Sequence, residues 1–146
     1  MVKATDALLT DHRLIRKTLE EFALENPRFP ALLKTLQRVV IAHAWFEDEI
    51  FLPALKAERS LDRLNREISE EHKDLAELFL RAEAAGAGPS RDLEANVLQL
   101  RTILETHLRK EEDALFPLAE RILDSEGLNR LGDEMIRRKT DVRRVI

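Results

Sequence analysis

The sequence predicts an all-α fold, a bundle of four long helices followed by a short C-terminal helical segment. Three observations carry that expectation. Between its breaks the chain is rich in Leu, Ala, Glu, Arg and Lys, the strong helix formers, and runs of alternating β-branched residues are missing. The 4 Gly and 5 Pro cluster, so helix-breaking residues fall at a few places and leave long stretches intact. Within those stretches apolar residues recur at about 100° per residue, giving each helix one apolar stripe and one charged side.

Helices are expected at 5–25, 31–57, 61–85 and 91–124. Asn26-Pro27-Arg28-Phe29-Pro30 ends the first. The second carries Leu32, Leu36, Val39, Val40, Phe46, Ile50, Phe51 and Ala54 on one face. Ser60 is placed to cap the third. Gly86-Ala87-Gly88-Pro89-Ser90 separates the third from the fourth, with Ser90 as its cap. The fourth carries Leu93, Val97, Leu100, Ile103, Leu104, Ala114, Leu115 and Leu118 on one face. Short connections make sequential helices antiparallel. Gly127 and Gly132 mark the final segment.

The 146 residues fit one domain, 1–146, with the bundle at about 5–124 and the segment at 125–146. Asp and Glu outnumber Lys and Arg by 28 to 24, which argues against a protein built to grip phosphate backbones. No apolar run approaches the ~18–20 residues of a spanning helix, so no membrane partner is expected. The N-terminal residues lack a basic start followed by an apolar block, and the cytoplasm is the default compartment. Cysteine is absent, which excludes disulfides, thiol catalysis, thiolate metal sites and iron–sulfur clusters. A metal here is held by His, Asp or Glu. Tyrosine is absent too, removing phenolic acids and tyrosyl radicals.

All four histidines fall on apolar faces, one per helix: His12, His43, His72 and His107. One such residue is usually a packed core histidine; four of four is different. A neutral imidazole in an apolar bundle needs partners for two ring nitrogens. A metal satisfies one and leaves the other for an outer acceptor. His43 to Glu47 and His107 to Glu111 are both His-x-x-x-Glu, and positions i and i+4 stack on one helix face. Each pair thus aims an imidazole and a carboxylate inward together.

An internal repeat strengthens this. His43 is followed by Glu47, Asp48, Glu49, Phe51, Leu52 and Pro53; His107 is followed at the same offsets by Glu111, Glu112, Asp113, Leu115, Phe116 and Pro117. Asp11-His12 matches Glu71-His72, with Ile15 and Leu75 three positions after each histidine. The chain is two copies of a helical hairpin, together offering four His and two Glu to one centre. That inventory suits two ions, each with two imidazoles and both bridged by Glu47 and Glu111. The mid-helix prolines mark the duplication and are assigned no chemistry. Asp48 and Glu112 are expected to point about 100° away from the site and to tolerate Ala.

Asp11-His12, His43 to Glu47, Glu71-His72 and His107 to Glu111 resemble the hemerythrin-like His-His-Glu (HHE) cation-binding domain over about residues 5–122. The resemblance implies an up-down-up-down four-helix bundle holding non-heme iron, usually as a di-iron pair. It implies binding or sensing of dioxygen, nitric oxide or peroxide, or iron handling, with a di-iron enzyme acting on peroxide or nitric oxide as the alternative. The donor set also suits manganese or zinc. Three departures stand out. Oxygen carriers of the family have a second His four residues after the one on the third helix, where this chain has Ala76. Their last motif ends in Asp one residue further along, where this chain has Glu111. One iron then lacks a protein ligand, which points away from reversible oxygen carriage. The cysteine-bearing segment of the iron-centre repair group is missing. No acid-base group beyond the ligands is expected in the pocket, which favours binding over turnover.

Arg137, Arg138, Lys139, Arg143 and Arg144 make the tail basic. With no aromatic platform beside them they read as a solvated helix end rather than a nucleic-acid site. Arg16 is expected to snorkel to the surface, and Phe22, Phe46, Phe51, Phe79 and Phe116 to serve as core. Ile41, Trp45 and Leu52 project opposite His43, while Phe116 is the one large apolar residue on the back of the fourth helix. Such a stripe needs a cover. Either Leu128, Leu131, Met135 and Ile136 fold back over it, or it forms a two-fold homodimer contact, the explanation favoured for its Trp.

Overall fold

The computed structural model describes residues 2–86 and 90–143, all helical or in short connections. Six helices follow in order. Helix α1 is Ala4–Glu21. Helix α2 runs over 29–54, as an α-helical stretch Phe29–Phe46, a π-helical turn Glu47–Phe51 and a last turn Leu52–Ala54. A 3₁₀ turn, Arg59–Leu61, leads into α3, Asp62–Ala85. Helix α4 runs over 90–122 with the same internal plan: Ser90–Lys110, a π turn Glu111–Leu115, then Phe116–Ile122. Helices α5, Ser125–Arg137, and α6, Lys139–Arg143, close the chain. Helices α1 to α4 form the up-down-up-down bundle, with α1 on α2, α2 on α3 and α3 on α4.

The helix ends differ from expectation in places. Helix α1 stops at Glu21 because Arg101 of α4 donates to the carbonyls of Leu19 and Phe22, taking acceptors the next turn would need. Ser60 does not cap α3; its hydroxyl donates to Glu58 and Leu61 holds the cap position. Ser90 is the first residue of α4, and the capping role of its side chain lies outside the described residues.

The π turns have a shared cause. A proline at helix position i lacks the N–H and pushes its ring at the carbonyl of residue i−4. Pro53 and Pro117 each follow two residues behind a π turn. There the N–H groups of Leu52 and Phe116 reach back five residues, to Glu47 and Glu111, instead of four. The extra residue moves the following carbonyls out of the proline's way. It also slips the register of everything downstream. Leu52 and Phe116 hold equivalent positions in the repeat, where a constant 100° per residue points both away from the site; both are buried.

The core is two apolar clusters stacked along the bundle. One gathers Ile15, Leu19, Leu36, Val40, Leu75, Phe79, Leu100 and Leu104. The other gathers Leu8, Ile50, Phe51, Leu55, Ile68, Leu115 and Phe116. Between them lies a layer whose buried residues are polar.

The C-terminal segment decides what covers the stripe on α2. Helix α5 starts at Asp124, whose carboxylate accepts the Gly127 N–H at 2.7 Å. It packs on α1 and against the π turn of α2. Leu128 and Met135 are buried, Leu131 is half-buried, and only Ile136 stays exposed. Leu52 lies in the same cluster as Met135, with Trp45 packed against it. The Arg138 guanidinium lies over the Trp45 ring, 4.8 Å from its centroid. The Leu52 and Trp45 part of the stripe is therefore packed from within the chain, while Ile41 is half-buried beside a cavity of about 220 Å³. Of the other tail cations, Arg144 and the Arg143 side chain lie outside the described residues.

Gly132 makes this docking feasible. A Cβ there would stand 1.9 Å from the carbonyl oxygen of Val2, a backbone atom. Replacing Gly132 by Ala must therefore lift α5 off the start of the chain. The expected cost is about 1–3 kcal/mol, read as a lower midpoint in urea with Trp45, the only tryptophan, as the fluorescent reporter.

Candidate metal centre

The polar layer contains every residue singled out from the sequence. His12, His43, Glu47, His72, His107 and Glu111 are all buried, and both glutamates are fully so. Glu111 sits at the middle. Its Oε1 lies 2.8 Å from His12 Nε2 and 3.1 Å from His43 Nε2. Its Oε2 lies 2.9 Å from His107 Nε2 and 3.7 Å from His72 Nε2. Glu47 Oε1 spans the same divide, 3.2 Å from His43 Nε2 and 3.0 Å from His72 Nε2.

This geometry fits a metal better than it fits hydrogen bonding. Buried polar atoms are nearly always paired. Here Glu47 Oε2, Glu111 Oε2 and His107 Nε2 have no hydrogen-bond partner; the last two are close but misaligned. The Nε2 atoms of His12 and His43 face each other at 3.2 Å. Two nitrogens each about 2.1 Å from one ion, at right angles, stand about 3 Å apart. Two convergent groups result, Glu47–His72–His107–Glu111 and His12–His43–Glu111, sharing Glu111.

Each histidine turns its other nitrogen to a carboxylate on a neighbouring helix. His43 Nδ1 meets Asp11 at 3.0 Å, His72 Nδ1 meets Asp48 at 2.9 Å, His107 Nδ1 meets Glu71 at 2.7 Å, and His12 Nδ1 meets Glu112 at 2.7 Å. With Nε2 toward an ion, Nδ1–H donates outward, which fixes tautomer and ring plane. The structure thus corrects the reading of Asp48 and Glu112 as residues facing away and indifferent to Ala. Arg16 is corrected too. It does not snorkel free but forks onto Glu112 at 2.5 and 2.9 Å and reaches Glu105 at 3.1 Å. Lys110 does the same for Glu71. Ala76 is half-buried and lines a cavity of about 220 Å³ with His72, Asp48 and Trp45. Of the phenylalanines, Phe22, Phe51, Phe79 and Phe116 are core, and Phe46 packs at the edge.

The electrostatics follow from this packing. Burial disfavours a charged His72 ring, yet contacts with Asp48, Glu111 and Glu47 overcome it and push the pKa up to about 11. For His107 the same opposition, with Glu111 and Glu71 as the main partners, gives about 9. His43 is raised well above its ordinary value, against the penalty of burial, by Glu47, Asp11 and Glu111. Burial favours the neutral form of Glu111, but four imidazoles hold its carboxyl well below the usual range. The raised His43, His72 and His107 values and the lowered Glu111 value all favour charged rings beside an ionised carboxylate, so protons compete with a cation for this layer.

Two predictions follow from that competition. A raised folded-state pKa contributes stability that is full below the ordinary value of 6.5 and is lost as pH climbs through the folded value. The melting temperature of the metal-free protein in chelator should therefore fall as pH rises through about 9 and on toward about 11. Cation uptake near neutral pH should release protons, measurable by titration in weak buffer. Separately, Asp48→Ala or Glu112→Ala should weaken cation binding about 10- to 100-fold in competitive titration. The exposed Glu49→Ala and Asp113→Ala serve as unaffected controls.

Comparison with known proteins agrees with this centre. Residues 3–119 match the Hemerythrin HHE cation binding domain, and residues 63–146 match it again, the second match beginning at α3 where the repeat begins its second hairpin. No curated protein matches the chain by sequence. The fold is similar to the crystal structure of a hemerythrin HHE cation binding domain-containing protein from Mycobacterium kansasii. That protein is 23% identical, with 98% of this chain and 88% of that one covered at a TM-score of 0.83. Among the described residues no helix is long and apolar enough to cross a membrane. With the family's domain matched across the bundle and the buried His/Glu layer at its middle, the chain belongs to the Hemerythrin HHE cation binding domain family.

Proposed function

We propose that His12, His43, Glu47, His72, His107 and Glu111 hold two metal ions, iron in the cell. On this reading the protein binds or senses dioxygen, nitric oxide or peroxide. The observation that carries it is the division of the Glu111 carboxylate, one oxygen toward the His12–His43 pair and the other toward His72–His107. A carboxylate so placed would reach both ions of a pair. The mixed imidazole and carboxylate donor set suits iron, and also manganese or zinc. When bound, an iron pair supplies a reversible change of charge and open positions for a small ligand.

The chain's own residues do the rest. Glu47 would be the second carboxylate shared by the ions and would supply anionic charge to offset two cations. Each pair of imidazoles would give one ion two neutral donors, leaving positions not filled by protein groups. The apolar clusters above and below exclude bulk water. Among the described residues no acid or base in this layer stands free of the ligand set and its carboxylate partners, which favours capture of a ligand over its conversion. Residues 1–146 act as one unit in this reading, and α5 belongs to it. A homodimer through Ile41, Trp45 and Leu52 is not needed for this reading: Leu52 is buried within the chain, and Arg138 lies over the Trp45 ring.

Elemental analysis of iron-reconstituted protein should give two ions per chain, and Glu111→Ala should lose at least one. A single tightly held ion at saturation overturns the dinuclear reading. Stopped-flow spectroscopy of the reduced protein should then show a stable adduct with nitric oxide or dioxygen; rapid catalytic loss of peroxide or nitric oxide identifies an enzyme instead.

A further inference from the structure

The four carboxylates behind the histidines are not alike. Glu112 is forked by Arg16 and Glu71 is gripped by Lys110, each cation coming from a neighbouring helix. Asp11 and Asp48 instead border surface cavities of about 290 and 220 Å³. A carboxylate accepting an Nδ1–H pulls that proton and enriches the ring, making Nε2 a stronger donor. A cation on the same carboxylate draws density the other way. Arg16 and His12 both meet the Glu112 carboxylate, and Lys110 and His107 both meet Glu71. The cations thus compete with the imidazole for one anion. Each inner pair contains one restrained ring, His12 or His107, and one unrestrained ring, His43 or His72.

We infer that Arg16 and Lys110 are positioning residues that act through Glu112 and Glu71 to weaken His12 and His107 as donors, raising the reduction potential of the bound metal pair. This rests on the reading that the centre holds redox-active metal. A positive charge near the pair disfavours the more oxidised, more positive state. Relieving the carboxylate lets the imidazole stabilise that state further. Both effects have one sign. Both cations also meet a second acid, Arg16 with Glu105 at 3.1 Å and Lys110 with Glu67 at 3.7 Å, but Arg16 is permanently charged and holds Glu112 with two parallel bonds, whereas Lys110 is a point charge. Arg16 is expected to have the larger influence.

The test is the midpoint potential of the iron-loaded protein in wild type, Arg16→Gln, Arg16→Lys and Lys110→Gln. The Gln variants should shift to more negative potential, Arg16→Gln further than Lys110→Gln, and Arg16→Lys should return most of the way to wild type. Potentials that stay put, or move positive, overturn the inference. So does an Arg16→Gln variant that lowers only the melting temperature of the metal-free chain, which marks a purely structural clamp. If Arg16→Gln does not fold, Lys110→Gln alone decides by the same criterion. A wild-type protein that holds no redox-active metal overturns the underlying reading as well; a wild type with two irons and unmoved variants overturns this inference alone.

Discussion

A fully buried carboxylate in contact with four imidazoles is the constraint on which the rest of this molecule depends. Glu111 has no exposure to solvent. An isolated ionised carboxylate in such a place is prohibitively costly unless positive charge is brought to it. Protonated histidines provide that charge in the metal-free chain. Bound cations provide it more compactly in the proposed loaded form. Either way the four rings must converge from four helices, so the bundle's register is fixed at this layer. The apolar clusters on both sides then contribute burial without having to specify alignment.

The carboxylates behind the rings form a closed circuit. Asp11 of α1 holds His43 of α2, Asp48 of α2 holds His72 of α3, Glu71 of α3 holds His107 of α4, and Glu112 of α4 holds His12 of α1. On α1 and α3 the acid precedes the inward residue by one; on α2 and α4 it follows by one. Antiparallel helices reverse the sense of rotation seen from one end, so −100° on one and +100° on the next point the same way around the bundle. Each helix is thereby tied to its successor, and the ring closes. A polar layer that might have loosened the core instead links all four helices.

The six inner residues were legible because the signal was redundant: two hairpin copies, each with His on one helix and His-x-x-x-Glu on the next. What the sequence reading missed has two physical sources. It treated a residue 100° from the inward face as solvent-facing, as on a lone helix. In a four-helix bundle that direction points at the neighbouring helix, which is where Asp48, Glu112 and Arg16 find partners. It also used a constant 100° per residue through the prolines. The π turns ahead of Pro53 and Pro117 add a residue, so Leu52 and Phe116 rotate into the core. Both signals lay in the repeat itself, where the acids and the prolines recur at matching offsets.

The two halves have diverged where duplication left room. Helix α5 packs along α1 and the α2 π turn, on the first hairpin. The cation clamps, by contrast, sit at the seams beside α4, Arg16 between α1 and α4 and Lys110 between α3 and α4. The seams beside α2 carry Asp11 and Asp48 next to cavities. The bundle therefore carries ion pairs on one side and surface cavities on the other, while each pair of inner histidines draws one ring from each kind of seam. An asymmetric shell of this kind gives the centre a distinct front and back, which a strictly repeated hairpin does not provide.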